Sequence, residues 1–77
     1  MTRLPAVTAR QLLAVAEKAG FVFDRQKGSH AVYVRTTKLG STTIVVPVHK
    51  GRTLKRGTLH GLIDDMGLST QEFIDLL

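Results

Sequence analysis

Residues 21–35 read FVFDRQKGSHAVYVR, in which two runs rich in aromatic and β-branched side chains flank a polar centre. Such runs are typical of β-strands, so we predict a first strand over Phe21–Gln26 and a second over His30–Arg35. The Lys27–Ser29 segment between them contains a glycine, which tolerates backbone conformations that other residues resist. The stretch therefore predicts an antiparallel hairpin whose second strand begins at His30.

A first helix is predicted before the hairpin. Thr8 and Gln11 have the spacing of a capping box, in which each side chain accepts a hydrogen bond from the other residue's backbone N–H. Gly20 is a typical helix end. The apolar residues between them fall at helical spacing on one face, and these are Ala9, Leu12, Leu13, Ala16 and Ala19.

A third strand and two further helices are predicted after the hairpin. We expect a loop over Thr36–Ser41 and a strand over Thr42–Pro47, which ends at a proline because proline cannot donate to the ladder. A basic loop, Val48–Lys55, then leads to a helix that begins near residues 55–58. The residues that indicate its apolar stripe, its glycine stop and the capping box of a short third helix are Leu59, Leu62, Ile63, Met66, Gly67, Ser69 and Glu72.

The predicted order is helix, three antiparallel strands, helix and short helix, which is typical of an α+β layer with its helices on one face of the sheet. Alternation along the second strand places His30 and Val32 on one face and Ala31 and Tyr33 on the other. Both faces carry apolar residues, so the sequence leaves open which one meets the helices. A bulge at the turn is a further way to re-aim His30.

Length and composition exclude several classes of protein. The 77 residues suffice for one small domain over residues 1–77, and 43% of them are apolar, which permits a packed core. There is no cysteine, so neither a disulfide nor a thiolate metal site is possible. No apolar run approaches the roughly 20 residues of a membrane helix, so we expect no membrane association and a cytoplasmic location.

The charge of the chain is uneven. Eleven lysines and arginines face six acidic residues, for a net charge of +5, and four of the acids lie in residues 64–77. The rest of the chain is therefore more basic than the average. Such a surface attracts polyanions or an acidic protein partner, although a basic bias without a function is also common.

The segment Arg25–His30 is the first candidate site. An imidazole titrates near neutral pH and can transfer a proton under physiological conditions, while Arg25 and Lys27 can hold a phosphate. The alternative is that His30 is an ordinary surface residue beside a turn. The other two histidines, His49 and His60, match no zinc spacing, so we expect no metal and no other cofactor.

The start of the second helix is the other candidate. Helix N-termini present free N–H groups and a positive dipole end, which favour phosphate. Lys55 and Arg56 lie at this start, and Lys50 lies in the loop before it. A solvated basic cap explains the same residues without a ligand.

Several segments together resemble the HicA toxins of HicBA toxin–antitoxin pairs, also described as YcfA-like. The matching segments span nearly the whole chain in order, and they are Gly20-Phe21, Arg25–His30, Val46–His49, Leu54–Leu59, Met66–Ser69 and Glu72-Phe73. The resemblance implies a fold like the double-stranded-RNA-binding domain and a HicB-like antitoxin partner. It also implies metal-independent endoribonuclease activity on mRNA, with His30 as the catalytic residue.

Two positions differ from the usual pattern of this family. Ala31 stands where members often have a second histidine, so an auxiliary role of that residue is absent, and Arg56 replaces a frequent proline. In RNA cleavage His30 would act as the base, or as base and acid in turn, with Arg25 and Lys27 on the phosphate. The RNA contacts expected besides these cations are Gly28, Ser29, Lys50, Lys55 and Arg56. A non-catalytic RNA-binding domain of the same fold and a protein-interaction module remain the alternatives.

Overall fold

A computed structural model describes residues 3–77, which form a helix, a three-stranded antiparallel sheet and two further helices. In chain order these are α1 (Ala9–Lys18), β1 (Val22–Lys27), β2 (His30–Thr37), β3 (Gly40–Pro47), α2 (Arg56–Asp65) and α3 (Thr70–Leu76). This order confirms the predicted α+β fold of the double-stranded-RNA-binding-domain type with a short C-terminal helix.

The sheet has the order β1-β2-β3, and the pairing between its strands settles which side the helices cover. Tyr33 pairs with Ile44, and Ala31 pairs with Val46. Ile44 and Val46 are buried in the core together with residues of the helices, so this side is the helix-covered face. His30 alternates with Ala31 and therefore lies on the opposite side, which we call the open face.

The connection between β2 and β3 corrects the sequence prediction. A loop over Thr36–Ser41 is wrong, because these two residues pair with each other and the strands continue as far as Thr37 and Gly40. The side-chain oxygens of Thr36 and Ser41 lie 3.1 Å apart, within hydrogen-bonding distance. Polar residues of this kind form cross-strand hydrogen bonds on an exposed ladder, so their polarity was no sign of a loop.

The sheet also contains the irregularity that the sequence suggested, but at a different position. The register between β1 and β2 shifts between Phe23 and Arg25, which makes Asp24 the extra residue of a β-bulge. The bulge therefore lies in the middle of β1 and leaves the pairing of Lys27 with His30 at the turn regular.

The ends of the helices follow the local signals in the sequence. The capping box of α1 is present: the Gln11 N–H donates to the Thr8 hydroxyl at 3.2 Å, and the Thr8 N–H donates to the Gln11 side chain at 2.9 Å. Gly20 has φ +96°, and the hydrogen bonds of residues 20 and 21 back to the last turn of α1 form a Schellman motif. The second predicted box, Ser69 with Glu72, caps α3 in the same way.

The core lies between the helices and the sheet. The buried face of α1 differs slightly from the predicted stripe, because Val15 is fully buried while Leu13 and Ala19 are only partly so. The α2 stripe is buried as predicted, and Phe73 of α3 is fully buried beneath it. The largest fully buried side chains are Phe21, Phe73, Leu12, Ile44, Leu59, Ile63 and Met66.

Arg35 joins the sheet to two helices. Its guanidinium donates to the carbonyl of Ala19 and to that of Met66, each at 3.2 Å, and these residues are the C-caps of α1 and α2. The same group lies 4.6 Å from the centre of the Phe21 ring. Since helix C-termini carry unpaired carbonyls and a partial negative charge, one cation stabilises both ends.

Candidate functional site

The turn between β1 and β2 positions the first candidate residues. Gly28 has φ +57°, and Ser29 has no positive φ, a pattern typical of the type II′ turn that fits the twist of a two-residue hairpin. The Gln26 side chain donates to the Gly28 carbonyl at 2.9 Å, and the Val48 N–H donates to the Ser29 carbonyl at 2.7 Å. Both central residues of the turn are therefore fixed by contacts from outside it.

His30 is the first residue of β2, the central strand, and it has a neighbour on each side. It pairs with Lys27 of β1 and with Pro47 of β3, and directly opposite residues share a face of the sheet. The side chain is exposed and makes no hydrogen bond within residues 3–77. The imidazole is thus held by its backbone alone and is accessible to a ligand on the open face.

Arg25 lies on the same face, because it pairs with Val32, which is two residues beyond His30. Its guanidinium forms an ion pair with the Asp24 carboxylate in the bulge. Arg25 is therefore partly neutralised, whereas Lys27 has no ion pair within the described part of the chain. Of the two predicted phosphate-binding cations, Lys27 is the one whose charge is fully available.

The remaining predicted contacts lie on other elements. Lys55 is the N-cap of α2 and caps it with backbone only, and Arg56 is the first residue of that helix. The Arg56 guanidinium donates to the Leu4 carbonyl at 3.4 Å, so this cation also holds the N-terminal segment against α2. Within residues 3–77, no hydrogen bond or strand pairing joins Lys55 or Arg56 to the hairpin turn. The predicted contacts thus lie on two different elements, the hairpin turn and the start of α2.

A cleft of about 690 Å³ that the sequence did not indicate lies between α1 and the loop after β3. Its walls carry an apolar stripe of α1, the Thr8 hydroxyl of the α1 capping box, and five further polar side chains, which belong to Arg10, Glu17, Tyr33, His49 and Lys50. None of these five forms a hydrogen bond or ion pair within residues 3–77. The i, i+3, i+4, i+7 spacing of Arg10, Leu13, Ala14 and Glu17 was a signal for this second face of α1, but nothing in the sequence placed residues 48–51 opposite it.

Tyr33 lines this cleft from the helix-covered face of the sheet. Its ring makes an edge-to-face contact with Phe23, with centroids 5.7 Å apart. Burial raises the pKa of the Tyr33 hydroxyl above its usual value, and the nearby charge of Glu17 raises it further. The phenol is therefore a neutral hydrogen-bond donor at physiological pH.

No group of three or more histidine, cysteine, aspartate or glutamate side chains in residues 3–77 could hold a metal ion. In the same part of the chain, no helix has the length and apolarity required to cross a membrane.

The layered fold, with a basic hairpin on the central strand, defines a small α+β protein of the double-stranded-RNA-binding-domain type. Comparison with protein families gives a more specific assignment. The model of the HicA toxin of bacterial toxin–antitoxin systems matches residues 9–68, more than half of the chain, and the chain belongs to this family. A comparison with curated proteins gives no match.

Proposed function

We propose that this HicA family toxin is a metal-independent endoribonuclease that cleaves mRNA in the cytoplasm with His30 as its catalytic base. The observation that carries the proposal is the position of His30. Within residues 3–77 it is an accessible imidazole without a hydrogen bond, fixed on the central strand directly opposite a lysine that has no ion pair in the same residues.

The chemistry follows from the substrate. RNA carries its own nucleophile, the 2′-hydroxyl, so the protein must remove one proton and stabilise the charge that develops on the phosphate. The His30 imidazole takes that proton, the oxygen attacks phosphorus, and the P–O5′ bond breaks to leave a 2′,3′-cyclic phosphate. The imidazolium formed in the first step then gives its proton to the departing 5′-oxygen. Lys27 provides the positive charge, and the Ser29 hydroxyl and the N–H groups of the turn are donors for a phosphate oxygen.

A direct test compares wild type with His30→Ala on RNA in the presence of a chelator. General base catalysis contributes about 10²–10⁴-fold, so the variant should lose at least that factor in cleavage rate while its thermal unfolding stays unchanged. His60→Ala is the matched control, since His60 is exposed on α2 and has no role in the proposal. The wild-type product should end in a 2′,3′-cyclic phosphate or the 3′-phosphate formed from it.

Two results would contradict this mechanism. One is full activity of a stably folded His30→Ala variant, which would exclude the imidazole as the base. The other is a 5′-phosphate product, or activity that is lost to the chelator and restored by magnesium.

A non-catalytic RNA-binding domain is the second candidate. One observation favours it: within residues 3–77, nothing is hydrogen-bonded to the His30 imidazole to orient it, whereas a catalytic base is usually oriented by a third group. In that case the same RNA would bind to wild type and remain intact.

We further propose that a HicB-like antitoxin neutralises the protein by covering the open face around His30. The cations Arg25 and Lys27 lie beside that residue on β1. They fit a partner with acidic groups, and the association rate should fall as the salt concentration rises. An alternative docking surface is the acidic segment that contains Asp64, Asp65 and Asp75.

Hydrogen exchange distinguishes these two surfaces. With antitoxin bound, the amides of residues 25–31 should exchange more slowly, and RNA should compete with the antitoxin for the toxin. A complex that binds RNA normally and leaves this segment unprotected would exclude direct occlusion.

A further inference from the structure

The residues of the cleft between α1 and residues 48–51 have no role in the proposed catalytic chemistry of His30. Its volume of about 690 Å³ is within the range of small-molecule and nucleobase sites. Ala9, Leu13 and Ala14 give it an apolar wall, and Tyr33 adds an aromatic ring with a hydroxyl at its edge. Apolar walls with a few polar groups are typical of pockets that bind flat, partly polar rings.

Glu17 is the unusual residue in this cleft. Residues 1–63 contain only two acids, Glu17 and Asp24, and Asp24 is already paired with Arg25. A free carboxylate on a basic surface repels the phosphates of RNA, so Glu17 does not contribute to the general attraction between this surface and RNA. It fits a ligand group that donates hydrogen bonds.

Cations lie at the edge of the same cleft. Arg10 contributes from α1 and Lys50 from the loop, and neither forms an ion pair within residues 3–77. The cleft thus brings together a hydrogen-bond acceptor, an aromatic ring and two positive charges. This is the arrangement expected for a nucleotide whose base enters and whose flanking phosphates stay at the rim.

We propose that this cleft binds an unpaired guanine of the RNA substrate, with Glu17 reading its Watson–Crick edge and Arg10 and Lys50 holding the adjacent phosphates. The inference rests on the proposed function. Guanine is the base that fits best, because its N1–H and N2–H₂ groups are adjacent donors that match both oxygens of one carboxylate. Adenine, cytosine and uracil each offer a single donor group on that edge.

Tyr33 completes the match. Its hydroxyl is a donor beside Glu17, and guanine O6 is the acceptor next to N1–H. The edge-to-face contact with Phe23 limits the positions that the Tyr33 ring can take. The cleft therefore adds a base-specific contact on the helix-covered side of the same sheet that carries His30 on its open face.

Binding of short oligonucleotides tests the inference separately from cleavage. Fluorescence anisotropy with the non-cleaving His30→Ala protein gives the Kd of labelled single-stranded pentamers that differ only in the central base. We expect the pentamer with guanine to bind about tenfold more tightly than the other three, the factor typical of one good bidentate base contact. Glu17→Gln should remove this preference, because an amide has only one acceptor oxygen.

Two further variants complete the design. Ala14→Phe, at an exposed position of α1, should fill the cleft and weaken binding of the guanine pentamer toward that of the others. Asp65→Asn makes the same change of charge as Glu17→Gln at an exposed position outside the cleft, and it should keep the preference for guanine. Circular dichroism would check that each variant is folded.

Equal Kd values for all four pentamers, or a guanine preference that survives Glu17→Gln, would overturn the inference. Loss of antitoxin binding in Ala14→Phe without any guanine preference would instead assign the cleft to the protein partner. If wild type cleaves mRNA but shows no preference, the inference fails alone. If it discriminates between the pentamers but never cleaves RNA, the proposed function fails alone.

Discussion

The two faces of the sheet are built from alternate residues of the same strands, yet most residues of one face are buried and most of the other are exposed. On the helix-covered face, Ile44 and Val46 are at most 1% exposed. On the open face, Val45 between them is 49% exposed and Val22 is 65% exposed, whereas Val32 of the central strand is 2% exposed. The comparison shows that burial is decided by what packs on a strand and not by its composition, since valine occurs on both faces.

The largest expected effect tests this contrast within one strand. Ile44→Ala leaves a cavity under the helices and should lower the free energy of unfolding by about 2–5 kcal/mol. Val45→Ala removes a side chain that is already half in water and should cost less than about 1 kcal/mol. Urea unfolding of both variants measures the difference.

A milder substitution at position 44 covers the case in which Ile44→Ala does not fold. If Ile44→Ala is too unstable to fold, Ile44→Val, with an expected cost of about 0.5–1.5 kcal/mol, keeps the comparison measurable. Equal costs at positions 44 and 45 would mean that the open face is covered in solution.

A smaller effect concerns charge on the open face. Lys27→Ala should leave stability within about 0.5 kcal/mol of wild type, since the side chain is exposed. If Lys27 contacts a phosphate of single-stranded RNA, the slope of log affinity against log salt should fall by about 0.7. Lys38→Ala is the matched control, because Lys38 lies in the hairpin turn at the other end of the sheet. A slope that changes equally in both variants would show a general charge effect without a defined contact.

The smallest expected effect is a loss of stability at alkaline pH, which Tyr33 on the helix-covered face should cause. The pKa of Tyr33 is raised in the folded protein by burial and by Glu17. Its contribution to stability is therefore complete below the unfolded pKa of 10.0 and is lost as pH rises through the higher folded value. Wild type should lose stability between these pH values, and Tyr33→Phe should lose less over the same range. Parallel pH profiles of the two proteins would contradict the assignment.

The features predicted correctly from the sequence are those with local causes. The capping boxes at Thr8 and Ser69 and the stop at Gly20 depend on residues within one turn of each helix. The Gly28-Ser29 turn is equally local, which is why His30 was correctly placed at the start of β2. The role of His30 in catalysis stays a prediction, which RNA cleavage by the His30→Ala variant tests.

The features that could not be predicted depend on residues far apart in the chain. The burial of one sheet face is decided by the helices that pack on Ile44 and Val46, and no pattern within β2 reports it. The cleft requires α1 to lie near residues 48–51, and the Arg56 contact requires Leu4 to return to α2. The bulge at Asp24 was likewise hidden, because it changes the register without a glycine or proline to mark it.

The two-residue turn makes the site sensitive to insertions and deletions. The register of β2 is held by its pairing with β3, so a residue added between Lys27 and His30 would displace β1 and not β2. The lysine and the histidine would then no longer face each other, although both would still be present in the sequence. The extra residue at Asp24 lies farther from the turn and leaves that pair intact. Chain length between positions 27 and 30 is therefore as important to this site as the identity of its side chains.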